Sequence, residues 1–114
     1  LHSERLRIRT SVTTPRGITV FTPAGELDYN SASALETAIT ATGRLPCAVV
    51  DFSHITFTDS TGINALLRAN RTLQAAGGWL RLSSIPDTSL RPMEIVGLNQ
   101  VIDMYPTLEA ALRT

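Results

Sequence analysis

The run LPCAVVDF, residues 45–52, restricts the folds open to this chain more than any other stretch. It is short, rich in β-branched residues and apolar without alternation, the pattern of a strand covered on both faces. Such a strand needs packed layers above and below its sheet, and its flanks can supply them. Before it, Leu35, Ala38 and Ile39 recur at helical spacing, with Ala32 a turn earlier. That helix has N-cap types ahead of it (Asp28, Asn30, Ser31) and a natural stop in Gly43. After it, Ile63, Leu66, Leu67 and Leu73 mark a second helix that Gly77-Gly78 closes.

The remaining segments continue the alternation. Residues 5–13 put Leu6, Ile8, Thr10 and Val12 on one face and Arg5, Arg7 and Arg9 on the other, a half-buried strand with a cationic outer face. Residues 14–17, TPRG, have turn chemistry, and residues 18–22 alternate again, so the two runs read as a hairpin. WLRLSSI, residues 79–85, is a strand with Leu80 and Leu82 on one face and Trp79 and Arg81 on the other. Residues 86–98 are expected to form a helix ending at Gly97. Pro92 fits only a first turn, which places the start of that helix near Leu90. VIDMY, residues 101–105, reads as a short strand, and PTLEAALR as a last helix opened by Pro106. The order β-β-α-β-α-β-α-β-α predicts a single α/β domain over residues 1–114. It has a mostly parallel central sheet, an N-terminal hairpin and four helices. Residues 1–4 are expected to lie outside its ordered part.

Composition narrows the function. Ten arginines balance ten acidic residues, and there is no lysine. Nucleic acid and anionic membrane, which attract a basic field, are therefore not expected partners. A net charge of zero leaves little repulsion between copies, so a homodimer is compatible with the sequence. Cys47 is the only cysteine. It excludes an intrachain disulfide and reads as a buried small hydrophobe in a reducing compartment. No run approaches the roughly 20 apolar residues of a membrane span, and no signal segment is recognisable, so the expected location is the cytoplasm.

The chemistry concentrates in HITFTDSTGINALLRA, residues 54–69. It opens as an alternating run, closes as a helix, and places Asp59-Ser60-Thr61-Gly62 at the junction. Thr58 or Asp59 supplies an N-cap. One cap suffices, so capping leaves Ser60, Thr61 and the poor helix former Gly62 unexplained. A hydroxyl at a helix N-terminus has a further property. Once phosphorylated, it meets unpaired backbone N–H groups and the positive end of the helix dipole. The fold tolerates the phosphate while the surface gains about 1.5 to 2 negative charges. That is a binding switch that refolds nothing. A rival reading takes Asp51, His54, Asp59 and Ser60 as hydrolase groups, with Ser60 as nucleophile and His54 as base. Triads are defined by geometry, however, and no GxSxG elbow is present. His2, His54 and Cys47 have no metal-site spacing, and no Gly-rich phosphate loop occurs, so neither metal nor cofactor is expected.

VVDFSHITFTDSTGINALLRANR, residues 49–71, resembles the signature of the STAS family of bacterial anti-sigma factor antagonists. GELD at 25–28, GL at 97–98 and YPTLEAAL at 105–112 resemble it too. Pro92 departs from the family pattern. The resemblance implies a single STAS domain, not an enzyme, that binds an anti-sigma factor, often a GHKL-type serine kinase, and so frees a sigma factor. The kinase phosphorylates the serine after the motif aspartate and breaks the complex, and a PP2C-type phosphatase reverses this. Carried over, the phosphoacceptor is Ser60, with Thr61 a minor acceptor. Asp59 and Gly62 are motif residues, and Asp28 matches a position near the phosphosite. The alternative within the family is a regulatory STAS domain of a transporter or sensory complex without a phospho-switch.

Helix geometry extends the expected interface. Ser60, Asn64, Arg68 and Arg71 fall at i, i+4, i+8 and i+11, close to one helix face. Asn64 and Arg68 therefore join Asp28, Asp59, Ser60, Thr61 and Gly62 as candidate partner-binding residues.

Overall fold

A computed structural model describes residues 6–13, 17–41 and 46–113. Strand β1 (Arg7–Thr13) and strand β2 (Ile18–Leu27) form the antiparallel hairpin, with Thr13 opposite Ile18. Helix α1 (Ala32–Thr40) follows, then β3 (Cys47–Asp51), β4 (His54–Thr58) and helix α2 (Ser60–Ala75). Strand β5 (Trp79–Ser83), helix α3 (Asp87–Ile95), a 3-10 turn (Leu98–Gln100), β6 (Asp103–Tyr105) and helix α4 (Leu108–Leu112) complete the order. The sheet runs β1-β2-β3-β5-β6 and is parallel beyond the hairpin.

This topology decides where the helices lie. The crossovers from β2 to β3, β3 to β5 and β5 to β6 all step in one direction. Right-handed crossovers stepping one way pass over the same face. The main core accordingly packs Leu35 and Ile39 of α1, Leu66 and Leu73 of α2, and Met93 of α3 against Phe21, Val50 and Leu82. Helix α4 covers the other face, where Ala111 meets Ile18 and Val49 beside Trp79 and Tyr105. Arg81 fastens it there: its guanidinium lies 3.7 Å from the centre of the Trp79 ring and donates to the carbonyls of Ala111 and Arg113. The unalternating run is thus sandwiched as expected, with Ala48 and Val50 facing one core and Val49 the other.

Several boundaries differ from the sequence reading. His54–Thr58, the alternating run that the expected element order did not count, is a strand in its own right. It pairs with β2 alone, because β2 runs ten residues rather than five and holds two parallel neighbours in succession. Thr19–Phe21 of β2 pair with β3, and Ala24–Leu27 pair with β4. Pro23 falls in the gap between those two ladders, the place in an inner strand where a missing N–H does least harm. The register shifts at Gly25/Glu26, where Gly25 takes a φ of 121° that suits a bulge.

Helix α3 starts at Asp87, directly after the extended Pro86, and carries Pro92 inside it. Pro92 is exposed there, so the Thr88 carbonyl that loses its helical donor belongs to a solvent-facing turn. Pro106 precedes the last helix, whose N-cap is Thr107. Gly97 takes a φ of 79° and ends the third helical segment as expected. Thr10 is exposed, and Leu67 and Cys47 are only half-buried. Residues 1–4, Arg5, the Val12 side chain, the turn at 14–16, Gly43 and Leu45 lie outside the described residues.

Candidate functional site

Strands β2 and β4 end side by side, with Leu27 opposite Thr58. The next residues, Asp28 and Asp59, therefore leave the sheet together, one into the loop before α1 and the other into α2. The Asp59 N–H donates to the Leu27 carbonyl at 3.1 Å. Its carboxylate then serves two segments. One oxygen accepts from the Gly62 N–H at 3.0 Å and caps α2, while the other accepts from the Tyr29 N–H at 3.1 Å. Asp59 is thus a bridge as well as a cap. Asp59→Ala is expected to cost about 2 kcal/mol in urea unfolding, the sum of a lost cap and an unmatched loop amide. Asp59→Asn, which keeps an acceptor for Gly62, should cost less than half of that.

Asp28 is occupied within its own loop. Its carboxylate accepts from the Asn30 N–H at 2.9 Å, and its own N–H donates to the Ser31 hydroxyl oxygen at 3.0 Å. Ser31 in turn donates to the Glu26 carbonyl at 2.7 Å. These bonds hold the loop upright beside α2 and leave the Tyr29 ring 79% exposed.

Gly62 explains itself sterically. A Cβ there would stand 2.7 Å from the Leu27 carbonyl oxygen and 2.8 Å from the Leu27 Cγ. Only glycine lets the first turn of α2 press against the end of β2.

Ser60 is the first residue of the 16-residue α2 and is exposed, whereas Thr61 is half-buried. Among the described residues, neither the Ser60 nor the Thr61 N–H has an acceptor. A free hydroxyl therefore stands over two free amide donors at the positive end of a long helix.

The expected helix face divides. At about 100° per residue, Asn64 and Arg71 lie within about 40° of Ser60, but Arg68 is turned by about 80°. Arg68 points toward α1, where its guanidinium meets the Glu36 carboxylate at 2.9 and 3.0 Å. Ser60, Asn64 and Arg71 instead line a groove of about 390 Å³ with Leu67, Val96, Leu98 and Val101. Val96 and Val101 are 63% and 53% exposed, and Ile95 beside them 79%. The sequence reading missed these three. The signal was present in MEIVGLNQVI, where adjacent Ile95 and Val96 cannot both face inward on one helix.

His54 does not reach Ser60. His54 opens β4 and Ser60 lies two residues past its other end, so the length of the strand, about 13 Å, stands between them. The nucleophile–base pair of the hydrolase reading is not formed. Among the described residues no group of acidic, histidine or cysteine side chains could hold a metal ion, and no helix is long and apolar enough to cross a membrane.

Known proteins resemble this chain in sequence and fold. The anti-sigma-F factor antagonist RsfB of Mycobacterium tuberculosis is 28% identical over 109 residues, covering 92% of this chain and 87% of that one. An anti-sigma factor antagonist from Mycobacterium paratuberculosis superposes with a TM-score of 0.78 at 32% identity, over 93% of this chain and 92% of that one. Bacillus SpoIIAA has the same fold at 24% identity, over 93% of this chain. Its unphosphorylated form gives a TM-score of 0.78 over 93% of that chain, and its phosphorylated form 0.70 over 96%. The same fold, at 17% identity, occurs in a sulfate transporter family protein from Wolinella succinogenes with a TM-score of 0.77 and in the murine anion transporter Slc26a9 with 0.75, over 85% and 21% of those chains. The STAS domain model matches residues 9–111, from the cationic strand to the helix that seals the second core, and the chain belongs to the STAS domain family.

Proposed function

We propose that this protein is an anti-sigma factor antagonist. It binds an anti-sigma factor of the serine-kinase type through the surface around Ser60 and thereby releases a sigma factor. The observation that carries this reading is the position of Ser60, an exposed hydroxyl on the first residue of α2 at the edge of a groove with exposed valines. Distant relatives bear the name of such antagonists, which supports it.

The seat has three parts. Val96, Val101 and Leu67 offer apolar surface, which a partner buries. Asn64, Thr61 and Arg71 offer polar contacts on the adjoining helix face. Asp28, Asp59 and Gly62 set the shape, holding the loop and the helix end together, and Arg68 forms the rim toward α1. Phosphorylation of Ser60, with Thr61 the minor acceptor, adds about 1.5 to 2 negative charges beside the Asp59 carboxylate. The free amides of Ser60 and Thr61 stabilise that phosphate within the folded domain. A partner covering the groove must then desolvate it, and the complex separates. A PP2C-type phosphatase restores binding. The domain is a kinase substrate rather than an enzyme.

The test begins with tagged protein isolated from its native cells. Trypsin releases residues 45–68 as one peptide, and its phosphate is localised by fragmentation. Phosphate on Ser60, with a serine kinase enriched only on the unphosphorylated pool, is the expected result. An unmodified peptide under all growth conditions, with transporter or sensory subunits enriched instead, overturns it in favour of a constitutive regulatory module.

A further inference from the structure

A second cleft lies on the half of the sheet that none of the described helices covers. Helix α4 packs over Ile18, Val49 and Trp79 and stops there. Beyond it β1, β2 and β4 run side by side, and no described element packs on their outer face. Arg7 pairs with Ala24 and Arg9 with Thr22 across the antiparallel ladder, and Ala24 pairs with His54 across the parallel one. Partners in a ladder point to the same side, as do residues two apart along a strand. All five side chains therefore emerge together, and they line a concavity of about 420 Å³. Its shape follows from side-chain length. Short Ala24 and Thr22 make the floor, and Arg7, Arg9 and His54 make the walls.

Among the described residues the charge in this cleft is unmatched. Arg7 and Arg9 are exposed and stand about 7 Å apart along β1. The ion pairs among the described residues are Arg68 with Glu36 and Arg113 with Glu109, so neither wall arginine has one. Glu26 is the nearest acidic residue along the same face of β2. It lies two residues beyond Ala24, opposite Phe57, and forms no ion pair. Protection of an edge strand accounts for arginines on β1. It does not account for His54 two strands away or for the hollow between them.

We propose that this cleft binds a small phosphate-bearing anion. Among the described residues every polar wall group can donate: two guanidinium forks, the Thr22 hydroxyl and an imidazole N–H. Guanidinium forks match pairs of phosphate oxygens, and a tetrahedral anion has oxygens enough for donors on both walls. The volume lies in the range of about 300–1,000 Å³ typical of small-molecule sites. The cleft opens at the start of β4, whose far end delivers Ser60, so the anion leaves the partner-binding groove free. The inference is independent of the partner reading.

Inorganic phosphate is the probe. The ¹⁵N-labelled full chain is titrated with sodium phosphate at constant ionic strength, with chloride as the balancing anion. Saturable shifts are expected at Arg7, Arg9, Thr22, Ala24 and His54. The double variant Arg7→Gln/Arg9→Gln should weaken binding by at least about tenfold. Its melting temperature should hold, because both side chains are exposed. His54→Ala, which keeps both guanidiniums, should weaken it several-fold. Shifts that never saturate, or that appear only at residues 60–62, overturn the proposal. So does unchanged affinity in His54→Ala, which would reduce the cleft to a charged strand edge.

Discussion

Ser60→Asp is expected to fold with an unchanged or slightly raised melting temperature and to lose affinity for the proposed anti-sigma partner by about a hundredfold. The two halves of this result have separate causes. An acidic side chain in the first turn of a helix interacts favourably with the dipole, by about 0.3 to 1 kcal/mol. Ser60 is exposed at the start of α2, so the fold has room for the longer side chain. The partner meets a different surface. A charge buried at an interface without a counter-charge costs several kcal/mol, and even partial desolvation accounts for about 2.7 kcal/mol, the equivalent of a hundredfold. Ser60→Ala makes the complementary test. It should bind like the parent and resist ATP-dependent release. Isothermal titration with the isolated kinase partner measures all three proteins. Equal affinity of Ser60→Asp and parent would sink the switch. Continued ATP-driven release of Ser60→Ala would move the acceptor to Thr61.

What the sequence reveals and what it hides divide along a physical line. The buried strand 47–51, the hairpin and the α2 stripe were legible because each has a strong period and one structural solution. Strand β4 went uncounted although its residues alternate, because its five residues border directly on a helix and read as the lead into it; in the fold Ile55 and Thr58 are buried, while Thr56 and Phe57 are exposed. The length of β2 was hidden because Pro23 and Gly25 read as breakers. They are tolerated only because the strand changes neighbours there, which is a tertiary fact. Pro92 misplaced α3 for the same reason, since the harm done by an inner-helix proline depends on which way its turn faces.

At the site, local chemistry was legible and pairing was not. The cap, the free hydroxyl and the glycine could be read from Asp59-Ser60-Thr61-Gly62. That the Asp59 carboxylate also binds the Tyr29 amide could not, because the bond joins residues 30 apart. Neither could the commitment of Arg68 to Glu36, 32 residues away. The same blindness hid the valines at 96 and 101, which approach Ser60 only when α3 and its following turn dock beside α2.

Gly62→Ala should show how tightly that junction is drawn. The added methyl would sit 2.7 Å from a backbone oxygen and 2.8 Å from a side-chain carbon of a residue that is itself fully buried. Neither can withdraw without moving the end of β2, which carries Asp28 and receives the Asp59 N–H. Overpacking of this kind costs about 3 kcal/mol, and alanine returns at most about 1 kcal/mol in helix propensity. The expected net loss is about 2 kcal/mol, a fall of about 8 °C in melting temperature. The displacement has a further consequence, because the loop and the helix start can no longer share the Asp59 carboxylate in the same geometry. Partner affinity should therefore fall even at temperatures where Gly62→Ala is fully folded, and the Tyr29 amide should lose protection from hydrogen exchange. A melting temperature within 2 °C of the parent, with Tyr29 still protected, would mean that α2 can tilt away from Leu27 at little cost. The close contact between helix and strand would then not be what positions Ser60.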